Sequence, residues 1–195
     1  MAVTLVSTIA GSTSNSLVSL ADADSYHENL LSFATWDAIS DDDKKRSLIS
    51  ASASFSELAW WGRLYDATTP QALVFPRVFP GQSDGLTIPA AIKAATCEHA
   101  LSLAVAAAAG QVGQSERAQM RAEGVTSWSM GNRSESLAQV AAGSTEAALA
   151  QFSGRVQRLL SGWIRGAFST DSGRRSQVGG NYDHNGHWWP TELMP

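Results

Sequence analysis

Apolar residues recur at helical spacing in four stretches of this chain, and a polar residue or a proline stands where each stretch begins. A serine with acidic residues close behind it favours a helix start, because its hydroxyl oxygen accepts from a backbone amide and the acids face the positive helix end. Proline is also favoured at the first helical position. The four helices predicted in this way begin near Ser19, Ser40, Pro89 and Ser144.

The charges near the second helix start help to define its boundaries. Three acidic and then three basic residues fill 41–46, and acid–base pairs at three- and four-residue spacing support a helix. We interpret this charged run as a solvated face. The stretch 32–39, just before it, is predicted to be a loop in which Phe33 and Trp36 act as packing anchors.

The third and fourth helices carry most of the predicted core. The third runs to about Ala109 and is apolar on nearly all sides, which places it at the centre of a bundle or between subunits. Gly110 then favours its end. The fourth helix carries an apolar stripe from Leu149 to Trp163 and is expected to close near Gly166.

A crossover between the second and third helices, 60–89, is the stretch around which the chain is organised. A Gly/Pro loop and a Pro-Arg pair limit it to at most a very short strand, since proline removes a backbone donor and biases the preceding residue to extended geometry. We interpret its aromatic residues mainly as a plug for one end of the bundle. The residues assigned to this structural crossover are Trp60, Trp61, Gly62, Phe75, Pro76 and Arg77.

A strand-like arm is predicted over 124–133. Apolar Val125, Trp128 and Met130 mark a largely alternating pattern, and a Gly-Asn turn signal follows. The pattern predicts a short hairpin or an extended arm. Two strands do not make a stable sheet alone, so the arm must pack on the helices or pair with another chain.

The two ends of the chain differ from the helical domain, which we place at 18–166. The segment 1–17 is small and polar and is predicted to be a mobile or docking arm. The segment 167–195 is rich in glycine yet keeps large apolar residues, which favours an extended tail that docks on a partner over one that packs on its own domain. The residues assigned to that docking are Tyr182, Trp188, Trp189, Leu193 and Met194.

Composition agrees with a mainly α class, a helical bundle of about four to five helices with a short β-hairpin or arm and an extended C-terminal tail. The chain has 195 residues, of which 44% are hydrophobic and 16% charged, as expected for one domain with appendages. Its single cysteine, Cys97, excludes an internal disulfide and lies in an apolar helical pattern. No stretch has the length of a membrane span.

Catalytic patterns are weak. Ser83 lies in a GxSxG sequence, but a proline precedes it and no helix follows directly, so the strand–turn–helix context of a hydrolase nucleophile is missing. His184 and His187 could share a metal, but a glycine-rich tail offers neither a third ligand nor a rigid frame. We therefore expect no enzyme activity, no metal and no cofactor.

Nucleic-acid binding is the remaining class suggested by composition. Seven tryptophans could stack on bases, but single-strand binding also needs a positive groove, and the formal net charge is −4. The tryptophans are scattered among acidic residues and helix faces. The sequence therefore favours structural roles for them.

The order of these pieces resembles a family of small tailed-phage proteins over roughly 18–166. The resemblance begins with the stretch Val18 to Tyr26, an alanine/aspartate helix with a tyrosine, followed by a tryptophan loop at Trp36 and an acid-led helix. It continues with a Trp-Gly pair, a Gln-Ala-Leu run closed by Pro-Arg, an Ile-Pro entry, an alanine-rich helix with a Cys-Glu pair, a strand-like segment and a last helix with paired leucines. These pieces are Trp61-Gly62, Gln71 to Arg77, Ile88-Pro89, Cys97-Glu98, Val125 to Met130 and Leu159-Leu160.

The resemblance implies a head–tail adaptor, a structural virion protein of the head–tail interface that is assembled in the host cytoplasm. Such proteins form a ring of copies, usually a dodecamer, beneath the portal protein, and a further tail or connector protein binds below. Genomic DNA passes through the channel without specific binding. We expect the tail residues to anchor the portal, and Val125, Trp128 and Met130 to contact a neighbouring subunit or the next tail ring. The family is also often labelled DnaT-like single-strand DNA-binding protein, which implies the alternative, a replication protein.

Overall fold

A computed structural model of the chain describes residues 2–65, 70–79, 85–110, 127–130, 133–136, 148–149, 151–165, 181–182 and 188–189, with only the backbone described in 127–136 and after 180. The mainly α class is confirmed. Five helices are found in these residues: α1 Leu20–Glu28, α2 Phe33–Asp37, α3 Asp41–Ser54, α4 Ala90–Ala108 and α5 Gly154–Leu160. A 3-10 turn, Phe55–Glu57, continues α3.

Three small antiparallel pairings complete the described structure. In the crossover, β1 (Arg63–Leu64) pairs with β2 (Arg77–Val78). The predicted hairpin is present: β3 (Ser127–Met130) pairs with β4 (Arg133–Ser136), and Met130 stands opposite Arg133. In the tail, which the sequence predicts to be extended, β5 (Asn181–Tyr182) pairs with β6 (Trp188–Trp189).

The predicted helix starts are confirmed where the sequence carries a local capping signal. Ser19 accepts from the amide of Asp22 at the start of α1, and Ser40 accepts from the amide of Asp43 at the start of α3. Pro89 immediately precedes α4. That helix ends beside Gly110, whose φ of +72° is a left-handed conformation that glycine adopts without a side-chain clash.

The stretch 32–39 is not the predicted loop, because it contains the short helix α2. Trp36 is buried as predicted, and its ring nitrogen donates to Asp24 at 2.7 Å while its ring stacks on that of His27. These contacts with α1 hold a helical turn that local propensity did not indicate. Phe33, the other predicted anchor, is 43% exposed.

The charged run at the start of α3 is only partly the solvated face that the pattern indicated. Arg46 and Asp43 pair with each other at an exposed position. Lys44 is buried instead, with its ammonium 3.4 Å from a carboxylate oxygen of Asp24 and over the ring of Trp36. A long aliphatic stem lets lysine bury its carbons while its charge finds a partner.

The last helix is interrupted, which corrects the prediction of one continuous helix from Ser144. Ala148 and Leu149 are helical, but the chain leaves the helix before Ser153, which caps α5 by accepting from the amide of Val156. A serine followed by a glycine favours a new start over continuation, because glycine costs backbone entropy inside a helix.

The core forms around α4. This helix packs most extensively against α3, and both α5 and α1 also contact it. The apolar stripe of the last helical segment still enters the core despite the interruption. Buried apolar side chains of this core include Val18, Trp36, Leu48, Phe55, Trp60, Phe75, Ile92, Phe152, Val156, Leu160 and Ile164.

A polar contact among three helices lies at the edge of this core. The hydroxyl of Tyr26 donates to Glu98 at 2.9 Å, and Arg155 pairs with the same carboxylate oxygen at 3.1 Å. Burial, and then the Glu98 carboxylate, raise the pKa of Tyr26 to about 12. The tyrosine therefore stays a neutral donor and joins α1 to α4, while the arginine joins α4 to α5.

The N-terminal segment lies against the helical domain. The amide of Val3 donates to Asp42 at 3.3 Å, and the amide of Leu17 donates to the hydroxyl of Ser52 at 3.0 Å. Leu5 packs against the core. Among the described residues, no helix is long and apolar enough to cross a membrane.

Candidate nucleic-acid interface

Trp60 and Trp61, which open the crossover, have opposite environments. Trp60 is buried, donates from its ring nitrogen to the carbonyl of Phe55 at 2.7 Å and meets the ring of Phe75 edge-on at 4.9 Å. Trp61 is 51% exposed. Neighbouring residues of an extended chain point to opposite faces, so burial of the first ring presents the second to solvent.

The chain after α5 runs antiparallel to this start of the crossover. Trp60 and Ile164 form an antiparallel bridge. The amide of Trp61 donates to the carbonyl of Trp163 at 2.9 Å, and the amide of Arg165 donates to the carbonyl of Ala59 at 2.7 Å. These backbone hydrogen bonds bring Arg165 beside Trp61.

The guanidinium of Arg165 lies over the exposed indole of Trp61. Its central carbon is 5.2 Å from the ring centroid, within the range of a cation–π contact. Such a contact at an exposed site is worth about 0.5–1 kcal/mol. Arg165 is itself exposed, so its donors can also reach a ligand that lies on the ring.

Arg77 fixes the backbone beneath this pair. Its guanidinium donates to the carbonyls of Trp61 and Gly62 at 2.8 Å each and to the carbonyl of Val74 at 3.3 Å. Burial, and then the nearby charge of Arg165, lower the pKa of Arg77 from its ordinary value. Because its donors are directed to backbone carbonyls, Arg77 shapes the crossover more than it offers itself to a ligand.

Gly62 permits the turn that Arg77 holds. Its φ is +73°, and a Cβ atom built there would lie 2.5 Å from the carbonyl oxygen of Val78. Any other residue would therefore strain the backbone and collide with β2. The turn at Gly62 thus has one defined shape, with Arg63 exposed on β1 immediately after it.

We define the Trp61 surface as the exposed Trp61, the Arg165 that lies over its ring, the exposed Arg63 two residues further along the chain, and Arg77, which holds the backbone between them. The ion pairs found within the described stretches involve residues of α1, α3, α4 and α5, and none of the four residues of this surface. An exposed indole with a guanidinium group beside it can stack on a planar base and pair with a phosphate.

The structure brings together all six residues that the sequence assigned to the crossover. It adds Arg165, which contacts Trp61, and the exposed Arg63 of the same crossover. In the sequence Arg165 belongs to the predicted last helix, and no local signal shows that the chain after α5 returns to the crossover. The contact depends on long-range backbone pairing.

The other predicted sites are described only in part. Trp128 and Met130 lie on β3 and Tyr182, Trp188 and Trp189 on the tail strands, where the backbone alone is described. Val125, Leu193 and Met194 lie outside the described residues, as do Ser83, His184 and His187. The roles assigned to these residues therefore remain predictions.

The two buried histidines and the cysteine have surroundings typical of packing roles. Burial lowers the pKa of His99 to about 4 and raises that of Cys97 to about 12. His27 lies within 3.3 Å of the hydroxyl of Ser32 and of the carbonyl of Cys97. Within the described ranges, no three residues of the metal-ligating types form a group that could hold an ion.

Comparison with known proteins gives one match. A family model described as "Putative DnaT-like ssDNA binding protein" matches residues 1–169. The match includes the N-terminal segment, the crossover and Arg165. No curated protein and no solved structure matches the chain.

Proposed function

The chain belongs to the DnaT-like single-strand DNA-binding family, and from this membership we propose that it binds single-stranded DNA on the Trp61 surface. The observation that carries the proposal is the exposed indole of Trp61 held against the guanidinium of Arg165. Every base has a π face, so an exposed aromatic ring stacks on bases of any sequence. The same arrangement supports binding without a sequence preference.

The residues of the Trp61 surface have different roles in binding the strand. Trp61 stacks on a base, while Arg63 and Arg165 pair with the flanking phosphates, for which the planar guanidinium is well suited. Arg77 donates to the carbonyls of Trp61 and Gly62 and thereby fixes the direction in which the indole of Trp61 points. It is a positioning residue.

Single strands suit this surface better than duplexes. In a duplex the base faces are covered by their neighbours, whereas in a single strand they can open onto a protein ring. One base stacked on an aromatic side chain contributes about 1–3 kcal/mol. A single such ring makes a modest site, so affinity should also depend on the phosphate contacts and fall with salt.

That salt dependence should be shallow, because the proposed site supplies only two arginines, Arg63 and Arg165, to pair with phosphates. Each phosphate neutralised on a single strand contributes about 0.7 to the slope of log affinity against log salt. Two arginines should therefore give a slope of about −1.4. A strongly basic protein that neutralises many phosphates would have a much steeper slope.

The test is a fluorescence anisotropy titration of a labelled oligo-dT strand and of a duplex of equal length, at several salt concentrations. A strand of about 20 nucleotides exceeds the footprint of most single-strand modules. We expect saturable binding of the strand with a shallow slope, and much weaker binding of the duplex. Equal affinity for both, or no binding at low salt, would contradict the proposal.

The second candidate is the head–tail adaptor implied by the resemblance, and the apolar end of α4 favours it. Val105 is 45% exposed there, and Ala107, Ala108 and Ala109 are exposed beside it. Contiguous exposed apolar positions are typical of surfaces that another subunit covers. The sequence left two places open for this helix, the centre of a bundle or an interface between subunits. The core packs around α4, and its exposed apolar end supports an additional contact with another subunit.

The adaptor hypothesis is tested by co-expression with the portal encoded in the same genome, followed by electron microscopy. It predicts a ring on the portal that is lost in Trp188→Ser/Trp189→Ser, with the chain still folded. If the full chain does not associate with the portal, the adaptor hypothesis is wrong. A ring on the portal together with no oligo-dT binding would favour the adaptor over single-strand binding.

A further inference from the structure

The turn between α1 and α2 presents two large apolar side chains to solvent. Leu31 has a relative exposure of 108%, so it touches almost nothing in its own chain, and Phe33 is 43% exposed. A single exposed leucine is ordinary on a protein surface. Leu31 and Phe33 lie two residues apart in one turn, and Phe33 lines a cleft, so together they form the apolar tip of this turn.

The cleft beside this tip is acidic. It has a volume of about 230 Å³, and Phe33 and Trp36 line it together with the carboxylates of Asp24, Glu28 and Asp37. Its one basic group, Lys44, is buried and lies 3.4 Å from Asp24. Asp24 also accepts from the ring nitrogen of Trp36.

The two remaining carboxylates give the cleft its outward charge. Glu28 and Asp37 are both exposed, one at the end of α1 and the other at the end of α2. The internal pair of Lys44 with Asp24 offsets one negative charge. The surface that a partner would meet is therefore an apolar tip beside two carboxylates.

We propose that Leu31, Phe33, Glu28 and Asp37 form a docking surface for a basic amphipathic segment of a partner protein. Aliphatic side chains of the segment cover the tip, and its lysines or arginines pair with the two carboxylates. Protein interfaces usually combine buried apolar anchors with a polar or charged rim. This proposal is independent of the Trp61 surface and shares no residue with it.

Charge and size both point to this occupant. Phosphates would be repelled by the carboxylates, so the surface does not suit a nucleic acid. Sites for small molecules usually have volumes of about 300–1,000 Å³, and the cleft is smaller than that. It accommodates about one long side chain, which fits a residue of a polypeptide.

The test uses two labelled helical peptides with the same leucine face, one with lysines and one with glutamates on the polar face. Binding to the full chain is followed by fluorescence anisotropy. The proposal predicts that the Leu/Lys peptide binds saturably and the Leu/Glu peptide does not. In Leu31→Ser/Phe33→Ser, affinity should fall about tenfold, the usual scale for loss of an apolar anchor.

Charge variants separate this surface from general acidity. Glu28→Gln/Asp37→Asn should weaken the Leu/Lys peptide about fivefold, since each rim pair contributes modestly. The control Asp41→Asn/Glu57→Gln removes two exposed carboxylates from elsewhere in the fold and should leave affinity unchanged. Circular dichroism should show that every variant keeps the helix content of wild type, so that a loss of affinity is not a loss of fold.

Three outcomes would overturn the proposal. The first is equal binding of the Leu/Lys and Leu/Glu peptides. The second is an equal loss in the control variant, which would mean diffuse attraction to an acidic protein. The third is an oligomer of the full chain that becomes a monomer in Leu31→Ser/Phe33→Ser, which would assign the tip to a second copy of the chain.

Discussion

The guanidinium of Arg165 lies over the indole of Trp61, 5.2 Å from its centroid, although the two residues are distant in the chain. The antiparallel bridge between Trp60 and Ile164 creates this contact by aligning the segment after α5 with the start of the crossover. Trp60 and Ile164 are buried, and the residues that follow them, Trp61 and Arg165, are exposed and lie side by side. The candidate site is a consequence of how the last segment closes the core.

Replacing Gly62 with alanine should destabilise the fold. The new residue would hold a φ of +73° and place its Cβ 2.5 Å from the carbonyl oxygen of Val78. The left-handed conformation alone costs about 1–2 kcal/mol, and the collision adds to it. Urea unfolding should show a loss of about 2 kcal/mol or more.

Gly162→Ala is the matched control for that variant. A Cβ at Gly162 meets nothing within 4 Å, and its φ is not in the left-handed range. Its unfolding free energy should stay within about 0.5 kcal/mol of wild type. A Gly62→Ala chain as stable as this control would show that the turn does not require glycine.

Arg77→Lys should also lose stability, despite keeping the charge. An ammonium on a flexible stem cannot reach the carbonyls of Trp61, Gly62 and Val74 at once, as the planar guanidinium does. Charged hydrogen bonds of this kind contribute about 1.5–3 kcal/mol each when deleted, so we expect a loss of about 2 kcal/mol. Urea unfolding at neutral pH measures it.

Arg158→Lys provides the control for Arg77, because Arg158 is exposed on α5 and lies outside the Trp61 surface. It should leave both stability and oligo-dT binding unchanged. In Arg77→Lys, binding should weaken together with stability, since the ring of Trp61 loses its support. An Arg77→Lys chain as stable as wild type would show that the hydrogen bonds of Arg77 to these three carbonyls do not stabilise the crossover.

Stability should fall as the pH is lowered, in part through His99. Burial between the rings of Phe55 and Phe152 lowers the pKa of His99 from 6.5 to about 4. Between these values the unfolded chain binds a proton that the folded chain does not. The stabilisation is therefore complete above pH 6.5 and is lost as the pH falls towards 4.

His99→Phe isolates this contribution, because the variant keeps every other titrating group. From about pH 7 to about pH 5, wild type should lose about 2 kcal/mol more of its unfolding free energy than the variant does. The test compares how much unfolding free energy each protein loses between the two pH values, and not their absolute stabilities, because the variant also changes core packing. Parallel losses in the two proteins would show that His99 does not carry the effect.

Local signals account for the elements that the sequence predicted well. Ser19 and Ser40 cap their helices through contacts three residues away, and Gly110 ends α4 by its own backbone conformation. Such signals lie within a few residues of the position they determine. They are readable without knowing the fold.

The features that escaped prediction depend on distant partners. The helix α2 is held where Trp36 meets Asp24 and His27, and Lys44 is buried because Asp24 is there to pair with it. The site residue Arg165 was missed for the same reason, since only the pairing of two remote segments reveals it. The helical spacing of apolar residues predicted which residues form the core. It could not predict that the exposed side chains of Arg165 and Trp61 come into contact.

The most direct test of single-strand DNA binding is the affinity of Trp61→Ala for oligo-dT, measured beside wild type and Arg158→Ala. Loss of one stacked base costs about 1–3 kcal/mol, so affinity should fall by about tenfold or more in Trp61→Ala. The arginine control should bind as wild type does. Trp61→Ala should stay folded while losing about 0.5–1 kcal/mol of unfolding free energy, the scale of its contact with Arg165. Unchanged binding by folded Trp61→Ala would contradict the assignment of the Trp61 surface.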